Sequence, residues 1–152
     1  MAVVAPGSEA PAFSLARQDG EPLTNEDLAG QTSVLVFYPF AFSPVCTDQF
    51  QIYNEVLPDF RARGATLYGV SCDATYSQEA FRHSLNVEIE QLSDFEPKGA
   101  ACAAFGVLNP GGFPQRALVI VGPDGEVKWS YEAPSPGELP GANLIFDGLD
   151  TV

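Results

Sequence analysis

The chain has 152 residues, of which 45% are hydrophobic and 18% charged, as in a globular domain and unlike a disordered or membrane-embedded chain. Its formal net charge of −13, from 20 acidic and 7 basic residues, argues against nucleic acid or an anionic membrane as partner. No apolar run approaches the roughly 20 residues that span a bilayer, and the N-terminus lacks a signal-peptide pattern. We therefore expect one cytoplasmic domain over residues 1–152.

The first half of the chain alternates strand-like and helix-like patterns. In chain order it predicts a β-hairpin turned by Gln18-Asp19-Gly20, a helical turn over 25–28, a buried strand over 33–37, and a helix that ends near Gly64 with a kink at Pro58. The strand over 33–37 is apolar after its first residue, which is typical of a strand covered on both faces.

The second half continues the alternation and closes with a hairpin. It predicts a buried strand over 65–71, helices over 75–85 and 97–105, paired strands over 117–121 and 126–131, and a short amphipathic segment around 144–146. Alternating strands and helices indicate parallel crossovers, whereas hairpins indicate antiparallel neighbours. The sequence therefore predicts an α/β fold whose central mixed sheet is flanked by helices, with a β-hairpin at its N-terminus.

Cys46 lies where the strand over 33–37 gives way to a helix. Ser43 and Pro44 are typical N-cap and first helical residues, so Cys46 becomes the third residue of the helix. Unpaired N–H groups at a helix start favour an anion, and the thiolate is the nucleophilic form of cysteine. A buried cysteine that acts as a small hydrophobe is the alternative. Full ionisation would raise the thiolate fraction only about thirtyfold at pH 7, so fast chemistry needs further donors.

The remaining cysteines, Cys72 and Cys102, and the one histidine, His83, give no metal-binding pattern. The cysteine count is odd, the spacing is wide and no C-x-x-C occurs, so we expect neither a disulfide framework nor a metal site. Cys72 follows a predicted buried strand and is expected to be an inert core thiol. His83 is expected on a solvated helix face.

The segment YPFAFSPVC carries the pattern P-x-x-x-S-x-x-C at Pro39, Ser43 and Cys46. Together with LSDF (92–95), AFGV (104–107) and RALVIVGPDG (116–125), it resembles the peroxiredoxin family over nearly the whole chain. It is most similar to the alkyl hydroperoxide reductase E-like one-cysteine group, and the bacterioferritin-comigratory (PrxQ) group is the near rival. The resemblance implies a thioredoxin-like fold and a peroxidase without metal or organic cofactor.

The resemblance also implies residue roles. Cys46 would be the peroxidatic nucleophile that becomes a sulfenic acid, and Pro39 would shield its sulfur from solvent. Arg116 would hold the thiolate and the peroxide oxygens. Ser43 stands where the family usually has threonine, and its hydroxyl can still donate and accept. Gln49 stands where relatives often have glutamate and is a secondary candidate.

The sulfenic acid must be reduced by a second thiol. Two usual positions for a resolving cysteine hold Phe50 and the run 81–83, which leaves Cys72 and Cys102, of which Cys102 is the better candidate. We instead expect a one-cysteine cycle completed by a thioredoxin-, mycoredoxin- or glutaredoxin-like protein, or by a low-molecular-weight thiol. The resemblance suggests a homodimer. One alternative is a redox sensor. Another is a thioredoxin-fold binding or chaperone-like module with little peroxidase turnover, and Ser43 in place of threonine is the feature that points to it.

Overall fold

A computed structural model describes residues 2–152, so Met1 of the predicted domain lies outside the described residues. The strands are β1 (Ser14–Ala16), β2 (Pro22–Thr24), β3 (Thr32–Phe37), β4 (Ala65–Ser71), β5 (Glu90–Ser93), β6 (Ala117–Val121) and β7 (Val127–Glu132). The helices are α1 (Pro44–Glu55), α2 (Leu57–Ala62), α3 (Thr75–Leu85), α4 (Ala100–Ala104) and α5 (Ala142–Leu149), with a 3-10 turn at Asn25–Leu28.

The strands form a single mixed sheet in the order β2-β1-β5-β4-β3-β6-β7. β3 is parallel to β4, and β4 is parallel to β5. The other neighbours are antiparallel, including the N-terminal hairpin β1–β2. This arrangement confirms the predicted mixed sheet with parallel crossovers at its centre and hairpins at both ends.

The sheet separates two apolar cores, because successive side chains of a strand point to opposite faces. Val34 and Val36 of β3 pack with α1, α2, α3 and α5 on what we call the α1 face. Leu35 and Phe37 pack with α4 on what we call the α4 face. Residues assigned to different faces are therefore kept apart by the backbone of the sheet.

Several predicted elements are confirmed at their stated bounds, whereas two helices differ from the prediction. The strand over 65–71, the helix over 75–85 and the strand over 117–121 match β4, α3 and β6. Pro58 lies at the start of α2, so the predicted kink is a full break between two helices. The helix predicted over 97–105 begins only at Ala100, because Gly99 adopts a left-handed φ of 75°.

β5 (Glu90–Ser93) was not predicted, because three of its four residues are polar and the apolar signal is too short. Gln91 is nevertheless fully buried, and its Oε1 accepts a 2.7 Å hydrogen bond from the Tyr38 hydroxyl. Among residues 2–152, no helix has both the length and the apolar character needed to cross a membrane.

Candidate active site

Cys46 is the third residue of α1, as predicted, and Ser43 is its N-cap residue. Its side chain has no solvent exposure and belongs to the core of the α1 face. Within residues 2–152, the N–H groups of Val45 and Cys46 donate to no backbone carbonyl. Such free donors at a helix start favour negative charge at the sulfur or at a ligand beside it.

The pairing of β3 with β6 brings Arg116 to this cysteine. The antiparallel register sets Phe37 opposite Ala117, so Arg116 lies beside the point where the chain leaves β3 toward α1. The Arg116 side chain is almost completely buried, with 2% of the residue exposed, and its Nη2 donates to Cys46 Sγ at 3.1 Å. Two residues 70 positions apart thus meet through one strand pair.

Arg116 is held by two further hydrogen bonds. Its Nη1 donates to Gln49 Oε1 at 2.5 Å, and its Nε donates to the Pro136 carbonyl at 2.8 Å. Gln49 Nε2 donates to the Tyr53 hydroxyl at 3.1 Å, which donates in turn to the Pro140 carbonyl at 2.6 Å. The loop between β7 and α5 therefore fixes the guanidinium through its backbone carbonyls.

The electrostatics of the site favour a thiolate. Among the ion pairs of residues 2–152, none includes Arg116, so no carboxylate neutralises its buried charge. A buried cation without a counter-charge is costly, and a Cys46 thiolate supplies that counter-charge. Burial raises the pKa of Tyr53 to about 12, so its hydroxyl stays neutral and donates at ordinary pH.

The loop over 38–43, which we call the covering loop, leads directly into the helix that carries Cys46. Pro39 is buried there, and Phe42 adopts a φ of 71°, a left-handed conformation that is strained for a bulky side chain. The Ser43 hydroxyl donates to the Phe40 carbonyl at 2.9 Å. Ser43 Oγ therefore neither caps the helix nor bonds to Cys46, whereas Arg116 contacts Cys46 directly.

Two residues were not assigned to the site from the sequence. Asp73 Oδ2 accepts the Ala41 N–H at 2.8 Å and so ties the covering loop to the end of β4. Tyr53 extends the polar chain from Arg116. Its spacing was a usable signal, because Cys46, Gln49 and Tyr53 stand at i, i+3 and i+7 on one helix face. Asp73 had no such signal.

Cys102, the predicted resolving candidate, is not brought to Cys46. Cys102 and Cys72 both belong to the core of the α4 face, whereas Cys46 belongs to the α1 face. The backbone of the sheet lies between them. His83 is exposed on α3, as predicted.

The site combines a buried thiol at a helix start with a guanidinium at the end of a mixed sheet. This combination indicates a thiol-dependent peroxidase. The model of the AhpC/TSA family matches residues 6–130, and the chain belongs to that family.

The relatives agree with this membership. Alkyl hydroperoxide reductase E of Mycobacterium tuberculosis is 29% identical over 145 residues, covering 94% of each chain. A putative peroxiredoxin bcp of Coxiella burnetii is 30% identical over 102 residues, covering 67% of this chain and 66% of its own. Both predicted groups are thus represented among the relatives at similar identity.

Solved structures give the same fold. Peroxiredoxin Q of Xanthomonas campestris superposes with a TM-score of 0.80 at 27% identity, covering 91% of this chain and 89% of its own. Mycobacterium tuberculosis AhpC superposes with a TM-score of 0.85 at 23% identity, covering 98% and 93%. The protein is a peroxiredoxin with a thioredoxin-like fold, an oxidoreductase that acts on peroxide at the expense of a thiol.

Proposed function

We propose that this protein reduces hydrogen peroxide and organic hydroperoxides through a one-cysteine cycle at Cys46. The observation that carries the proposal is the 3.1 Å contact between Arg116 Nη2 and Cys46 Sγ, in a buried site without a carboxylate partner for the guanidinium. This contact stabilises the thiolate, which is the form of cysteine that attacks peroxide.

In the first step the thiolate attacks the terminal oxygen of the hydroperoxide. An S–O bond forms while the O–O bond breaks, and the leaving oxygen departs as water or an alcohol after taking a proton. Arg116, the N–H groups of Val45 and Cys46, and the Ser43 hydroxyl after rotation from Phe40 are the donors within reach of the developing charge. Each fixed donor of this kind contributes about 10²–10³ to a rate.

Access requires motion of the covering loop, because Cys46 has no exposure and Pro39 in the loop before it is buried as well. Phe42 is the residue in this loop with an unfavourable backbone conformation. A strained residue of this kind stores about 1–3 kcal/mol, which lowers the cost of opening the loop. Pro39 shields the sulfur until then.

The oxidised cysteine returns to the thiol through an external reductant. An external thiol displaces water from the Cys46 sulfenic acid, and a second thiol then releases Cys46 as the reduced form. The placement of Cys72 and Cys102 on the opposite face of the sheet supports this route over an intrachain one. A thioredoxin-, mycoredoxin- or glutaredoxin-like protein or a small thiol fits it, and such reductants suit a cytoplasmic protein.

We also propose a homodimer that packs through the loop before α1, beside the site. Phe42 of this loop is a large apolar side chain with 55% exposure. Light scattering coupled to size-exclusion chromatography tests this assembly. A Phe42→Glu variant should elute as a monomer, and a monomeric unmodified chain at micromolar concentration would contradict the dimer.

Stopped-flow mixing of the reduced protein with hydrogen peroxide tests the peroxidase cycle. Cys46→Ser should abolish the fast phase of peroxide consumption, whereas the matched Cys72→Ser change on the other face should leave that fast phase intact. Mass spectrometry after one turnover should then find a sulfenic acid at Cys46. Unchanged consumption by Cys46→Ser would refute the peroxidase assignment, and a disulfide between Cys46 and another cysteine of the chain would refute the one-cysteine cycle.

A further inference from the structure

The two cysteines that the peroxidase cycle leaves unused lie next to each other. Cys72 follows the end of β4 and Cys102 lies on α4, on the α4 face. Their sulfur atoms and a carboxylate oxygen of Asp94 all lie within 4.8 Å of one another. The two sulfurs are therefore close enough for each thiol to shift the pKa of the other. They therefore form a thiol pair built into the fold, 30 residues apart in the sequence.

The surroundings of the two thiols differ. Interaction with the Cys102 thiol and with the Lys98 amine lowers the pKa of Cys72, against the opposing effects of burial and of the Asp94 and Asp73 carboxylates. Interaction with the Cys72 thiol, burial and the Asp94 carboxylate raise the pKa of Cys102. These directions favour Cys72 as the thiol that reacts first.

The two thiols also differ in access. Cys102 is completely buried, whereas Cys72 retains 7% exposure. Cys72 lines an open groove of about 300 Å³ together with Pro39, Phe40 and Lys98. A small oxidant that enters this groove meets the ionisable sulfur first, with the second thiol directly behind it.

A metal ion is the competing occupant of the Cys72–Asp94–Cys102 cluster. Both oxygens of Asp94 are already engaged, since they accept the N–H groups of Ala101 at 3.1 Å and Cys102 at 2.8 Å at the start of α4. The carboxylate therefore has a structural role in capping α4 that needs no ion. The positive charge of Lys98 beside Cys72 also opposes a cation.

We propose that Cys72 and Cys102 are a second redox site, independent of Cys46, that closes to an intramolecular disulfide when the protein meets hydroperoxide. The Cys72 thiolate attacks the terminal peroxide oxygen and becomes a sulfenic acid, and the other oxygen leaves as water or an alcohol. The Cys102 thiol then attacks the Cys72 sulfur, so an S–S bond forms and water leaves. Overall, two thiols lose two hydrogens and one peroxide is reduced.

Closure requires the sulfurs to approach to about 2.05 Å. Alanines at 100, 101, 103 and 104 surround Cys102, so α4 is made of small side chains that leave it free to adjust. The adjacent residue Asp73 holds the Ala41 N–H of the covering loop, so the disulfide forms next to an anchor of the active site. An external dithiol restores both thiols by exchange.

The Cys46→Ser protein tests this site without the peroxidatic cysteine. After exposure to hydrogen peroxide it should lose both remaining free thiols. Trypsin cuts the chain so that Cys72 lies in 64–82 and Cys102 in 99–116, and these two peptides should be recovered as one disulfide-linked species. The same link should appear in the oxidised unmodified chain, which covers the case in which the variant does not fold.

Two double variants assign the order of events. Cys46→Ser with Cys102→Ala should accumulate a sulfenic acid at Cys72, detectable with a dione probe. Cys46→Ser with Cys72→Ala should keep Cys102 as a thiol. Cys72→Ala with Cys102→Ala should still oxidise at Cys46, so failure of this site and failure of the peroxidase cycle are distinguishable.

Three results would overturn the proposal. Both thiols could survive a peroxide dose that oxidises Cys46 in the unmodified chain. The link could join two chains instead of one. Zinc added alone to the reduced Cys46→Ser protein could bind stoichiometrically and protect both thiols from peroxide, which would identify a metal site instead.

Discussion

Replacing Arg116 by methionine removes the guanidinium while keeping an unbranched side chain in its buried position. The change deletes the donors to Cys46 Sγ, Gln49 Oε1 and the Pro136 carbonyl together. Loss of the bond to Gln49 leaves a buried acceptor unpaired, at a cost of about 1–3 kcal/mol, whereas Pro136 is exposed and its carbonyl can bind water instead. Removal of a buried charge offsets part of this cost. We therefore expect a folded protein with a modestly lower melting temperature.

We expect Arg116→Met to lower the rate of reaction with peroxide more than it lowers the stability of the protein. Removing one donor from developing negative charge lowers a rate by about 10²–10³-fold. Loss of the thiolate can add at most about thirtyfold at pH 7. The second-order rate constant for oxidation of Cys46 by hydrogen peroxide should therefore fall by at least about 10²-fold. Raising the pH ionises the thiol in either protein, so it should restore only the smaller part of the deficit.

Stopped-flow fluorescence of Trp129 can follow the reaction, since this residue is the one tryptophan and packs against the core that contains Cys46. Thiol titration provides an independent record. Arg17→Met is the matched control, because Arg17 pairs with Glu90 at 2.8 Å, away from the Cys46 site, and its loss should leave the rate unchanged. An Arg116→Met rate within about threefold of the unmodified protein would refute the electrostatic argument. Complete recovery at high pH would limit Arg116 to ionising the thiol.

Three further results are expected. Gln49→Leu should slow the peroxide reaction about tenfold, because Arg116 loses a hydrogen-bond acceptor, and an unchanged rate would contradict this. Burial raises the pKa of Tyr53 to about 12, so the unfolded state releases this proton first and stability should fall as pH rises from about 10 toward 12. Urea unfolding at several pH values should show that the free energy of unfolding falls less steeply with pH in Tyr53→Phe than in the unmodified protein. Equal falls in the two proteins would contradict the assignment to Tyr53. Reduction of oxidised Cys46 by an anionic small thiol should accelerate with added salt, whereas the reaction with neutral peroxide should not.

Much of the fold was predictable because its signals are local. The strand over 65–71 is buried at every residue but Thr66, and the helix over 75–85 lies between Ala74 and the left-handed Asn86. β5 was missed because its stability comes from the sheet, where Gln91 is buried against Tyr38. The late start of α4 depends on the backbone of Gly99, which a proline-led helix pattern does not reveal.

In the site, too, features with a local sequence signal were predictable and features that depend on distant residues were not. The position of Cys46 followed from the Ser43-Pro44 pair, a local feature that the structure confirms. The Cys46–Arg116 contact depends on the register of β3 with β6, a non-local property that only the family resemblance anticipated. The Ser43 hydroxyl and Asp73 depend on how the covering loop folds back, which no local pattern fixes.

The distribution of charge explains how an acidic protein sustains a cationic site. The chain has 20 acidic side chains, yet among residues 2–152 its ion pairs involve arginines and a lysine at the surface, such as Arg63 with Asp150, and never Arg116. A carboxylate at Arg116 would compensate the guanidinium and remove its preference for a thiolate. The neutral amide of Gln49 orients the guanidinium without cancelling its charge. Because an acidic surface repels anions, we expect neutral hydroperoxides to react with Cys46 faster than anionic ones.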